Sequence, residues 1–142
     1  MKRWIPLLLI AILSACQTGP RPIAYGTDGC HFCRMTIVDR QHAAELVTDK
    51  GKVYKFDATE CMINYLREVP GVEMAHYLVT DFANPGGLTD AREASYLISE
   101  NLPSPMGAYL TAFAHPGDAR EALARFGGEL YDWQQVRKTI NP

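Results

Sequence analysis

Two strand-to-helix junctions, "VYKFDATEC" at 53–61 and "LTAFAHPGD" at 110–118, constrain the fold more than any other feature of the sequence. Each follows a pair of short β-prone runs, ends its strand on a phenylalanine, Phe56 or Phe113, and leads into an amphipathic segment. The first pair is Ala43–Thr48 and Lys52–Phe56, split by the turn "DKG". A helix follows in "TECMINYLREV", with Thr59 as N-cap, and then a strand in "EMAHYLVTDF". After the loop "ANPGGLTDAR" the order repeats: "EASYLIS", "GAYLTAF", a helix in "AREALARFGG" capped by Asp118, and a closing "ELYDW". Neither half is long enough to bury much apolar surface alone. The expected fold is therefore α+β, two small ββαβ units (about 36–84 and 92–134) packed into one compact domain, ending in a short amphipathic tail, "QQVRKTINP".

The N-terminus reads as an export leader. Lys2 and Arg3 precede an apolar run from Trp4 to Leu13 that is too short for a comfortable permanent membrane span. The segment closes on "LSAC", which looks like a bacterial lipobox: cleavage after residue 15 would leave Cys16 as the lipid-attachment residue. Residues 1–15 are then a signal peptide, 16–29 a tether rich in glycine and proline, and 30–142 the functional domain. Gln17, rather than Asp, after the lipidated cysteine implies an outer-membrane anchor facing the periplasm in a cell with two membranes. Of the 14 Lys and Arg residues, the leader takes Lys2 and Arg3, leaving 12 against 16 Asp and Glu. That balance argues against a nucleic-acid partner, which wants a concentrated basic patch.

The chemistry concentrates in "CHFCRM", residues 30–35. Cys30, His31, Cys33 and Met35 offer two thiols, an imidazole and a thioether. A Cys-x-x-Cys pair alone fits a redox dithiol, half of a zinc site or a soft-metal site. Met35 favours the last, because thiolate with thioether is the donor softness that selects Cu(I). An extended backbone would put Cys33 and Met35 on one side, with Cys33 as the anionic ligand and Cys30 mainly a redox partner. Met106, at the bend in "PSPMG", is a further loop-borne thioether. Cys61 faces inward on the first helix, as a small buried hydrophobe or a third thiol. Met62 and Met74 read as core, and His42 and His76 as hydrogen-bonded strand histidines. Three cysteines besides Cys16 cannot all pair within one chain. The motifs of hydrolytic and nucleotide-binding enzymes are missing from the sequence.

"CHFCRMTIVDRQHAAELVTDKGKVYKFDATECMINYL", with "SPMGAYLTAFAHPGDAREALARFGG" and Trp133, resembles the nitrous oxide reductase accessory lipoproteins, the NosL family. The resemblance implies a Cu(I)-binding lipoprotein, not an enzyme, that supplies an exported copper enzyme, possibly nitrous oxide reductase, with an ABC-type maturation complex as partner. It places the family's Cys-x-Met element on Cys33 and Met35 and its Met-Gly element on Met106 and Gly107. Many members carry glycine where this chain has Arg34, and Cys30 and His31 are donors added before the element. A periplasmic dithiol oxidoreductase, or a structural zinc-binding or disulfide-containing lipoprotein, are the competing readings.

Overall fold

A computed structural model describes residues 18–140, so the leader and Cys16 lie outside the described residues. The first half contains β1 (Ala44–Thr48), β2 (Val53–Phe56), α1 (Thr59–Glu68), β3 (Met74–Thr80) and β4 (Leu88–Asp90). The second contains β5 (Ser95–Ile98), β6 (Leu110–Phe113), α2 (Pro116–Phe126), β7 (Glu129–Tyr131) and α3 (Trp133–Thr139). The strands form two antiparallel sheets, ordered β2-β1-β3-β4 and β6-β5-β7. The paired ββαβ plan is therefore present, with one short strand and one short helix added to it.

Both helix starts differ from the sequence expectation by local chemistry. The α1 N-cap is Ala58 and Thr59 is already helical. At α2 the cap is His115, because Pro116, with fixed φ and no N–H to satisfy, takes the first helical position; Asp118 falls in the first turn. The tail becomes α3 through a reciprocal capping box between Asp132 and Gln135. That helix buries Trp133 and Val136. Gly128 is required where β7 meets β5, since a Cβ there would lie 2.1 Å from the Ile98 carbonyl oxygen.

One apolar core crosses the boundary between the halves. Leu46, Phe56, Met62, Tyr65 and Val79 pack with Tyr96, Leu110, Trp133 and Val136, while Leu97, Phe113, Ala119 and Ala122 form a smaller cluster involving α2. Polar ties reinforce the seam. His42 sits between Asp39, 3.0 Å from Nδ1, and Thr111 of β6, 3.2 Å from Nε2. The Phe82 N–H donates to the Ala112 carbonyl and the Ala114 N–H to Asp81.

Residues 21–29, expected within a tether, are bonded along the β1–β2 hairpin. The Arg21 N–H donates to Glu45 at 2.8 Å, and Lys55 Nζ reaches the Pro22 carbonyl and the Asp28 carboxylate. Thr18 lies over Gly51 at the hairpin turn. This segment delivers the chain from the hairpin turn to the cysteine loop.

Candidate metal centre

The cysteine loop is a closed turn. The Cys30 N–H donates to the Met35 carbonyl, the Arg34 N–H to the Cys30 carbonyl, and Gly29 bridges to Thr36. The His31 N–H donates to the Lys55 carbonyl, which fixes the loop on β2. Closing the turn takes Arg34 to φ +68°. This is the left-handed region that glycine enters freely and other residues enter at a cost. Cys33 and Met35 are thus not neighbours on an extended strand, contrary to the sequence expectation, and Met35 is 56% exposed.

The turn instead points its thiols at α1. The Sγ atoms of Cys30, Cys33 and Cys61 all lie within 4.8 Å of one another, and all three cysteines are free. Cys30 and Cys61 are buried, at 2% and 1% exposure, while Cys33 is partly open. The sequence leaves Cys61 as either a small buried hydrophobe or a third thiol, and the structure places it in the sulfur cluster. Its signal was the helical spacing that turned it inward, but nothing local says which loop it meets.

Charge is not shared evenly in the trio. The Cys61 S–H donates to Cys30 and the Asp57, Cys33 and Phe32 N–H groups point at the same sulfur, so despite burial the Cys30 thiol is pulled down to about 4. The Cys33 N–H to Cys30 Sγ distance is 3.4 Å. Cys61 is pushed up, by its donation to Cys30 and then by burial, and Cys33 is pushed up chiefly by burial. Backbone amides and a neighbouring thiol thus favour negative charge at Cys30, supplying the donors that water otherwise would.

His31 is not in the sulfur cluster. Its ring lies 4.5 Å from that of Tyr54 and 5.0 Å from that of Tyr65, and burial, then Arg34 and Lys52, lowers its pKa. It serves there as a neutral member of an aromatic set. Asp57 does not cap α1; its buried Oδ1 has no hydrogen-bond partner, and burial raises its pKa.

Met106 arrives from the second half. It lines an open pocket of about 510 Å³ together with Phe32, Glu60, Cys61 and Asn64, among others. Its loop is latched to α1 by Ser104 Oγ, which donates to Glu60 at 2.6 Å and accepts from the Leu110 N–H. Gly107 and Tyr109 turn the loop through φ +78° and +57°. Arg34 and Tyr109 are the non-glycine residues with positive φ among the described residues, one in each loop that carries a sequence-predicted sulfur donor. The chemistry of this arrangement is that of a soft ion: three thiols at chelating separation, with a thioether on the pocket that reaches one of them.

The comparisons agree with this architecture. A NosL family profile matches residues 23–140. The copper-binding lipoprotein NosL of Stutzerimonas stutzeri is 28% identical over 133 residues, covering 87% of this chain and 70% of that protein. A crystal structure of the copper chaperone NosL from Shewanella denitrificans superposes with a TM-score of 0.71 at 24% identity, covering 82% of this chain and 94% of the other. With the profile spanning the whole domain from Ile23 to Ile140, the chain belongs to the NosL family.

Proposed function

We propose that this chain is a periplasm-facing Cu(I)-binding lipoprotein that accepts copper and passes it by ligand exchange to an exported copper enzyme. The carrying observation is the cluster of three cysteine sulfurs within 4.8 Å, on a loop and a helix start that both belong to the core. Thiolate and thioether donors suit Cu(I), and the related proteins are described as copper-binding and as a copper chaperone. Copper is cargo here, so the protein needs to hold it and also to release it. Met106 and Met35, exposed and neutral, add donors without adding charge. Cys16 anchors the chain through lipid, with the outer membrane as its location. Nitrous oxide reductase is the client favoured by the family, with an ABC-type complex assisting its maturation.

The rival dithiol reading has one point in its favour, the lowered Cys30 thiol. Yet Cys30 is buried, which hinders attack on a protein disulfide. Anaerobic titration against a calibrated chromogenic Cu(I) chelator separates the two readings. The expected result is one tightly held Cu(I) per chain, lost in C30S and C33S variants that remain folded. A reduced wild-type protein that never competes with the chelator would refute the copper reading.

A further inference from the structure

We propose that the resting seat for Cu(I) is made wholly of thiolates, Cys30, Cys33 and Cys61, and that Met106, on the open pocket that reaches Cys61, is an exposed handover donor outside it. This assignment rests on the copper reading above. It differs from the Cys33, Met35 and Met106 set implied by family resemblance, and it makes Cys61 a ligand.

Size comes first. A metal–sulfur distance of about 2.3 Å gives a trigonal triangle of sulfurs with edges of about 4 Å. The three Sγ atoms already lie within 4.8 Å of one another, so small side-chain rotations complete the triangle. The site is also supported from behind: Cys30 and Cys33 share one hydrogen-bonded turn, and Cys61 lies in the first turn of α1. Such a frame loses little freedom on binding, which is the condition for holding an ion well.

Exposure then divides the sulfurs into two classes. Cys30 and Cys61 are shut away, whereas Met35 and Met106 stand 56% and 41% exposed. Thioethers left in water are poor retainers but ready first contacts for an ion carried by another protein. Cys61 and Met106 line the same open pocket, so an ion caught at Met106 has a short path to the thiols. Cys33, partly open, is the most accessible thiol of the three. No electron moves during transfer. As each new Cu–S bond forms an old one breaks, and each cysteine that still carries its proton gives it to solvent on binding. On release a partner's donor replaces a thiolate, which takes a proton back.

Selenium absorption spectroscopy on selenomethionine-labelled, Cu(I)-loaded full-length protein tests the seat without altering a cysteine. The expected spectrum has no copper neighbour at selenium; clear Se–Cu scattering in the loaded state would overturn the proposal. In parallel, C61A and C61S are compared with wild type. Whichever folds should lose affinity roughly tenfold or more, since even lost outer-shell partners of a metal cost roughly 10- to 100-fold. A folded Cys61 variant with wild-type affinity would return that residue to simple packing. M106L should keep equilibrium affinity yet slow copper transfer to an added chelator; an equal loss of affinity in M106L would place the thioether in the seat. Failure of wild type to take up copper at all would sink the function itself, whereas copper taken up with selenium bound to it sinks only the thiolate seat.

Discussion

Replacing Arg34 by glycine should stabilise the protein, although it deletes a long side chain from the motif. Arg34 sits at φ +68°, where Cβ crowds the backbone carbonyl at a cost of about 1–2 kcal/mol. Glycine escapes that cost but enlarges the unfolded ensemble, which takes back about 0.4–1 kcal/mol. Arg34 is exposed, so little packing is lost, and its backbone N–H can still donate to the Cys30 carbonyl. The net expectation is a gain of about 0.5–1 kcal/mol, or roughly 2–5 °C in Tm for a domain of this size. R34A supplies the control, because alanine removes the guanidinium but keeps Cβ. Urea denaturation under anaerobic, reducing conditions should rank R34G above wild type, with R34A near wild type. If R34A and R34G are equally stable, backbone strain at this position is not the cause. If R34G is the less stable of the two, glycine's gain in unfolded-state freedom outweighs the strain it relieves and the reasoning fails; if both fall well below wild type, the guanidinium itself holds the loop.

The other expectations concern buried polar groups away from the sulfurs. Glu45 is fully buried in β1 with Oε2 unpartnered, and burial raises its pKa above 4.5. A raised folded-state pKa means that its contribution is favourable below 4.5 and is lost as pH rises through the folded value. E45Q should therefore be more stable than wild type near about pH 8, with the advantage shrinking as pH falls toward 4.5; a constant difference between urea midpoints would refute this. T111V leaves His42 Nε2 buried without its partner and should cost about 1–3 kcal/mol in denaturation, with unchanged Cu(I) affinity.

The sequence disclosed the paired plan because it is written in local signals: two hairpin turns, two helices after phenylalanine-ended strands, and glycines at the breaks. It did not disclose β4, whose three residues form a strand only by pairing with β3. Nor did it disclose the ordered course of residues 21–29, because the partners of that glycine- and proline-rich segment, Glu45 and Lys55, are more than twenty residues away. The site divides in the same way. Cys30, Cys33 and Met35 are close in sequence and were legible as soft donors. Their arrangement was not, because it turns on the left-handed backbone of Arg34, a conformation that arginine does not advertise. Cys61 lies 28 positions beyond Cys33 and joins it only when the cysteine loop docks on β2 beside the start of α1.

The position of the cluster relative to the seam bears on how a cargo site can both hold and release. Cys30 and Cys33 lie on the loop just before the first half, which is bonded to that half's β2, and Cys61 lies on its α1. Met106 comes from the second half and is held near α1 by the Ser104–Glu60 hydrogen bond, in which Glu60 still has one buried oxygen unpartnered. The thiols are thus fixed by short-range backbone bonds, while the Met106 loop meets α1 through the Ser104–Glu60 side-chain bond and turns at Gly107 and Tyr109, both of positive φ. A loop tied to its neighbour by side-chain rather than backbone bonds opens at lower free energy than one held by a backbone ladder. The buried thiols can therefore stay in place while the Met106 loop moves, and the pocket can widen toward a partner without unfolding the core that supports the sulfurs.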